Sequence, residues 1–218
     1  MRTLVPNRFL FSFEIPIAHR ASLPRMTGRL ADWTDVERLP NLGEMDGRPD
    51  FADVWACWNS TGLAVACRVE GRRHPLICNP KSHWTSDNLR LCIDTRDART
   101  NRRVTRFCHQ LFFLPTGAGR KKDQPAAGAG KFQRTREEAP TIAVEKLQVA
   151  AEVRGTGYSL EAFVPAECLF GFDPEQHPRI GFYYLIEDRD FGQQYLTVGD
   201  DLAWNVDPST WATAVLAR

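Results

Sequence analysis

The pattern that most narrows the folds open to this chain is an alternation of apolar and polar side chains with a period of two. In "LAVACRV", Leu63, Val65, Cys67 and Val69 fall on one side, and Ala64, Ala66 and Arg68 on the other. In "NLRLCID", Leu89, Leu91 and Ile93 alternate with Arg90, Cys92 and Asp94. Successive side chains of an extended strand point to opposite faces, so this period marks strands and a helix would need 3.6. Similar runs occupy 53–58, 106–114, 141–155, 157–165 and 179–190, with Gly, Pro and Asn between them at short intervals. That punctuation is the habit of all-β folds. The expected fold is an antiparallel β-sandwich of two sheets, formed by residues 1–218 as a single domain.

Helical signals are few. Residues 31–39 suit one short turn ending before Pro40, and 165–170 another, with Pro165 at its start and Gly171 as a stop. The stretch "TGAGRKKDQPAAGAGKFQRTREEAP", 116–140, is dense in Gly, Ala, Pro and charge. It reads as a flexible loop between two strands of the same domain.

Composition removes several function classes. With 28 basic and 27 acidic side chains the formal charge is +1, which argues against a general nucleic-acid surface but leaves room for a local basic patch. No run approaches the roughly 20 apolar residues that span a bilayer. The opening "RFLFSFEIPI" is broken by Glu14 and Pro16 and reads as a strand, which makes a cytoplasmic location the expectation. None of the six cysteines forms a CxxC pair, so they are expected to be buried free thiols. "WNSTGL" reads as a hairpin turn. No GxSxG, HExxH, P-loop or GxGxxG occurs, and "DFG" at 190–192 lacks its companion motifs. Glu161, Glu187, Asp188 and Asp190 would make a glycosidase pair only by an accident of folding, so no enzymatic activity is expected.

Six segments, taken in order, resemble family 9 carbohydrate-binding modules: "GRLADWTDVERLP", "FADVWACWNSTGLAVACRV", "HWTSDNLRLCIDTRD", "GYSLEAFVPAECL", "IGFYYLIEDRD" and "WNVDPSTWATAVL". The resemblance runs over roughly residues 28 to 216. It implies a β-sandwich that binds a sugar on a sheet face or rim, and it makes Glu161 a strand residue, expected to be neutralised by an arginine.

Sugar recognition needs flat apolar surface for the pyranose ring and planar polar groups for its hydroxyls. Of the six tryptophans, Trp33 and Trp211 sit in the opening and closing motifs and read as structural. At least one of Trp55 and Trp58 belongs to the core. Trp84 follows "NPKSH" and Trp204 follows "VGDDLA", polar settings where ligand residues tend to lie. The expected contact set is Trp84, Trp204, Arg90, Arg106 and Asn205, with Gln110 as a further polar partner. His109 reads as a satisfied core histidine. Asp87 reads as a turn residue bonding its own backbone. No cofactor is expected. Structural calcium, which related modules hold, would have to use the oxygen-rich loops 44–50, 94–97 or 198–203, whose alternative role is that of solvated turns. A carbohydrate is the expected partner, with no nucleic acid and no membrane. A protein partner, met through Arg120, Lys121 and Lys122, is the competing expectation.

Overall fold

The structure is a computed structural model that describes residues 6–11, 13–48 and 50–218. Each period-two run contains a strand, though 141–155 is strand only over Gln148–Arg154, after a 3-10 turn at Val144–Lys146, and the opening segment read as a strand begins as a 3-10 turn at Asn7–Leu10 and turns to strand only at Glu14. The strands are β1 (Glu14–His19), β2 (Ala52–Asn59), β3 (Gly62–Val69), β4 (Asn88–Asp94), β5 (Cys108–Ala118), β6 (Gln124–Ala129), β7 (Gln148–Arg154), β8 (Gly157–Pro165), β9 (Arg179–Asp188), β10 (Gly192–Tyr195) and β11 (Ala212–Ala217). Helical structure among the described residues is confined to short 3-10 turns. Two of these fall where the sequence suggests. Asp35–Glu37 is closed by a reciprocal cap, in which Val36 N–H donates to Thr34 Oγ1 and Thr34 N–H to Glu37 Oε2. Ala166–Cys168 follows Pro165.

The all-β expectation holds, but the strands do not form two separate antiparallel sheets. They follow one hydrogen-bonded path, β6-β5-β4-β9-β11-β1-β2-β3-β8-β7, with β10 added to β9. Within it β1 runs parallel to both neighbours, sharing five residue pairs with β11 and two with β2. A parallel neighbour needs a long connection, and residues 20–51 between β1 and β2 supply one. The ends of the path, β6 and β7, lie against each other, so the sheet is nearly closed.

Inside this shell is the main core. Leu89, Leu91 and Ile93 of β4 meet Leu63, Val65, Cys67 and Val69 of β3 in one cluster that includes Trp58, Leu160 and Trp211. The other face of β2 and β3 is also dry: Trp55, Cys57, Ala64 and Ala66 pack under Trp33, leaving Arg68 to reach water. Both tryptophans of β2 are therefore buried. So are five of the six cysteines, all six being free thiols, with Cys78 half-buried.

Glu161 fixes the cover over that second face. It is fully buried on β8 and contacts no arginine. Its carboxylate accepts from the backbone N–H groups of Thr27, Gly28 and Leu30 and from Trp33 Nε1. The arginine expected there is replaced by a ring of neutral donors, which suffices for a buried carboxylate. Asp87 likewise does more than close its own turn: it accepts from the N–H groups of Ile77 and Arg189, both distant in sequence. The segment 116–140 contains the β5–β6 hairpin, with Ala126–Ala129 paired to Leu111–Leu114. Ala and Gly are weak strand formers, so propensity gives little warning of β6.

Candidate functional site

Strand register assembles one outer face. Arg90 on β4 lies across from Phe112 on β5 and Leu185 on β9, and Cys92 lies across from Gln110 and Tyr183. Cross-strand partners share a face, so Arg90, Gln110, Phe112 and Tyr183 lie on the side of the sheet opposite Leu89, Leu91 and Ile93. Gly128 of β6 faces Phe112, and any Cβ at 128 would collide with that ring. The missing side chain lets the phenyl ring lie flat over the strand.

Three connections wall this face. The 3-10 turn Pro80–Thr85 brings His83 and Trp84, the segment after β6 brings Lys131 and Gln133, and the segment before β11 brings Asp200, Trp204 and Asn205. With Arg90 and Gln110 they line a cleft of about 530 Å³, within the range of small-molecule sites. His83 is stacked on Phe112, with 4.0 Å between centroids and 4° between planes, and Trp84 stands edge-on to His83. Trp84 is 59% exposed, an unusual cost for an indole with no partner over it. Burial, then the nearby Arg90 charge, lowers the His83 pKa, so its ring is neutral at neutral pH.

Four of the five residues in the expected contact set, Trp84, Arg90, Trp204 and Asn205, are brought together here. Trp204 differs from expectation in being 4% exposed. Its indole is stacked on Tyr183 at 5.1 Å and 18°, and its Nε1 donates to Asp200 Oδ1 at 2.9 Å. It forms the floor of the cleft, while Trp84 is an open wall. Arg106 is elsewhere. Strand pairing of β5 begins at Cys108, so the alternation counted back to 106 does not apply. Arg106 lies in a turn, over Phe107 and Phe170, and pairs with Glu137 at 3.6 Å.

Arg90 is 6% exposed and only partly satisfied. It donates to the Trp84 carbonyl at 2.7 Å and approaches Glu187 Oε2 at 3.5 Å, while its buried Nε has no partner. A buried donor left without an acceptor is costly, and such orphans mark places where water or a ligand oxygen completes the bond. Gln193 Nε2 bridges Glu187 Oε2 at 2.9 Å and Asp200 Oδ2 at 2.7 Å. Burial raises the Glu187 pKa, opposed by the Gln193 hydrogen bond. The space between these two carboxylates is filled by an amide, whereas a glycosidase pair flanks the bond it cleaves.

His109 is buried as expected but incompletely satisfied. Its Nε2 lies 3.4 Å from the Phe170 carbonyl and its Nδ1 has no partner. Among the described residues no three or more His, Cys, Asp or Glu side chains converge as a metal site. One acid of each oxygen-rich loop is taken up within the fold: Asp46 holds Arg8, Asp94 accepts from the N–H groups of Arg96 and Ala98, and Asp200 accepts from Trp204 and Gln193.

His83, Lys131, Gln133 and Asp200 were not legible as site residues. Lys131 and Gln133 follow a strand that composition hides. His83 is placed in the cleft wall by its own 3-10 turn and rests on Phe112, whose ring occupies the space a side chain at Gly128 would fill.

No model of a protein family matches the sequence, and neither does any curated protein. Solved structures do. A family 9 carbohydrate-binding module from Caldicellulosiruptor kristjanssonii in complex with cellotriose is similar at a TM-score of 0.60 and 14% identity, covering 93% of each chain. A structure of a family 9 module from the same organism in complex with glucose gives 0.61 and 12% identity, covering 94% of this chain and 96% of that one. At such identity the likeness is one of fold, and it agrees with the resemblance carried by the ordered motifs.

Proposed function

We propose that this protein is a non-catalytic carbohydrate-binding domain that seats a sugar in the cleft between Trp84 and Trp204. The observation that carries the reading is the convergence of an exposed indole, a buried arginine with an unpartnered Nε, and the amides of Gln110, Gln133 and Asn205 on one cleft. The Trp84 ring offers a flat apolar face to pyranose C–H groups. The amides of Gln110, Gln133 and Asn205 supply donors and their oxygens accept from hydroxyls, with the Arg90 guanidinium in the cleft wall. Trp204 and Tyr183 hold the floor rigid, which lowers the ordering cost of binding. The similar structures contain cellotriose and glucose, which makes glucose-based sugars the first ligands to try.

Isothermal titration calorimetry with glucose, cellotriose and a panel of other oligosaccharides tests this. Binding of at least one sugar, lost in Trp84→Ala while the folded state survives, is the expected result. Absence of heat with every sugar, or binding untouched by Trp84→Ala, would remove the proposal.

A further inference from the structure

Beside the sugar cleft lies a second hollow of about 470 Å³, lined by Arg102, Arg103, Arg134, Thr135 and Val206. Its three arginines form no ion pair with any carboxylate of the described residues. The arginines come from two segments, 99–106 and 131–138, that together hold seven basic and two acidic side chains in a chain whose formal charge is +1. A backbone bond from Arg136 N–H to the Val104 carbonyl, 2.8 Å, joins the two segments side by side. Arg134 also holds a left-handed backbone, φ +62°, which a non-glycine residue adopts rarely.

The two hollows have consecutive residues in their walls. Gln133 and Asn205 line the sugar cleft; Arg134 and Val206, the next residue in each case, line the arginine hollow. Adjacent Cα atoms are about 3.8 Å apart, so the two hollows are neighbours at two separate points of the chain, one backbone step apart at each. Guanidinium groups match planar carboxylate and sulfate oxygens with paired N–H donors, and three like charges left unpaired together favour an anion.

We propose that the natural ligand is an anionic carbohydrate, its ring in the Trp84 cleft and its acidic group on Arg102, Arg103 and Arg134. This rests on the sugar-binding reading above and specifies the ligand class. A uronic acid and a sulfated sugar both offer the required oxyanion.

Calorimetry on the full chain with cellobiose, a glucuronic-acid-terminated disaccharide and a 6-sulfated disaccharide separates the cases. One of the acidic sugars is expected to bind at least about tenfold tighter than the neutral one, a difference of about 1.4 kcal/mol. The sugar that does so identifies carboxylate or sulfate as the source of the charge. The gain should shrink at high salt and vanish in Arg102→Ala/Arg103→Ala and in Arg134→Ala, with neutral-sugar affinity unchanged in the double variant. Equal affinity for neutral and acidic sugars overturns the inference and leaves the sugar site intact. Heparin or single-stranded DNA binding that ignores Trp84→Ala, without preference among the disaccharides, also overturns it by marking a general polyanion patch. Silence towards all sugars defeats the site reading itself.

Discussion

The guanidinium of Arg72 sits between Asp87 and Asp188, donating to Asp87 Oδ2 at 3.1 Å and to Asp188 Oδ2, with all three side chains buried. The His74 and Pro75 carbonyls, at 3.3 and 3.4 Å, accept from the same guanidinium. Asp188 also accepts from the N–H groups of Asp190 and Phe191. One cation thus fixes the approach to β4 and the β9–β10 turn, which carries Gln193 to Asp200 in the wall of the Trp84 cleft. Removing one partner of a buried pair strands the other charge. Arg72→Ala is expected to cost about 3–5 kcal/mol of stability. Urea unfolding reads this as a lower midpoint at unchanged slope, and a loss under about 1 kcal/mol would contradict it.

Glu161 serves neutral donors instead of a cation. Glu161→Gln replaces one acceptor oxygen by an NH2 group that faces the N–H groups of Thr27 and Gly28 or those of Leu30 and the Trp33 indole. A destabilisation of about 2–3 kcal/mol is expected. Hydrogen exchange should show faster opening of residues 27–33, and unchanged protection there would argue against this role.

His109 gives stability a distinctive acid dependence. Burial pushes its pKa down from 6.5 to about 4, partly opposed by the Phe170 carbonyl. Between those values the unfolded chain binds the proton and the folded chain does not. Stability therefore falls as pH drops from about 6.5 to about 4, by roughly 3 kcal/mol in total, and this contribution is absent above 6.5. His109→Leu should flatten that slope relative to the native protein. Parallel pH profiles for the two would refute the assignment.

The two tryptophans of the cleft should part company under truncation. Trp204→Ala empties a packed floor and is expected to cost about 3–5 kcal/mol. Trp84→Ala removes an exposed ring and should change stability by less than about 0.5 kcal/mol while removing sugar affinity. Thermal melts and titrations on the same samples check both, and comparable destabilisation by the two substitutions would show that Trp84 is structural.

Gly128→Ala tests how the platform is built. The added methyl group meets the Phe112 ring, so the ring and His83 above it must move. A destabilisation of about 1–3 kcal/mol is expected, together with altered chemical shifts for His83 and Trp84. Unperturbed shifts would show that the platform does not depend on the bare strand surface.

Alternation of side chains, read from residues alone, determined most of the strands, the core-facing sides of β3 and β4 and the burial of at least one tryptophan of β2, because a pleated strand sorts neighbours to opposite sides wherever it lies; the structural roles of Trp33 and Trp211 came from their places in the opening and closing motifs. The ordered motifs also pointed to the right fold resemblance and to four residues that meet in one cleft. Pairing was beyond their reach. That β1 joins two parallel neighbours, that β6 forms from alanines and glycines, and that β5 starts too late to direct Arg106 are matters of which backbone finds which partner, and hydrogen bonding between strands leaves little trace in side-chain order. Tertiary structure alone decided that Trp204 is floor and Trp84 wall, that Glu161 is served by backbone donors and the Trp33 indole, and that three arginines from two distant segments stand together beside the Trp84 cleft. Each of these depends on contacts between segments far apart in the chain, whose geometry is set only when the sheet nearly closes.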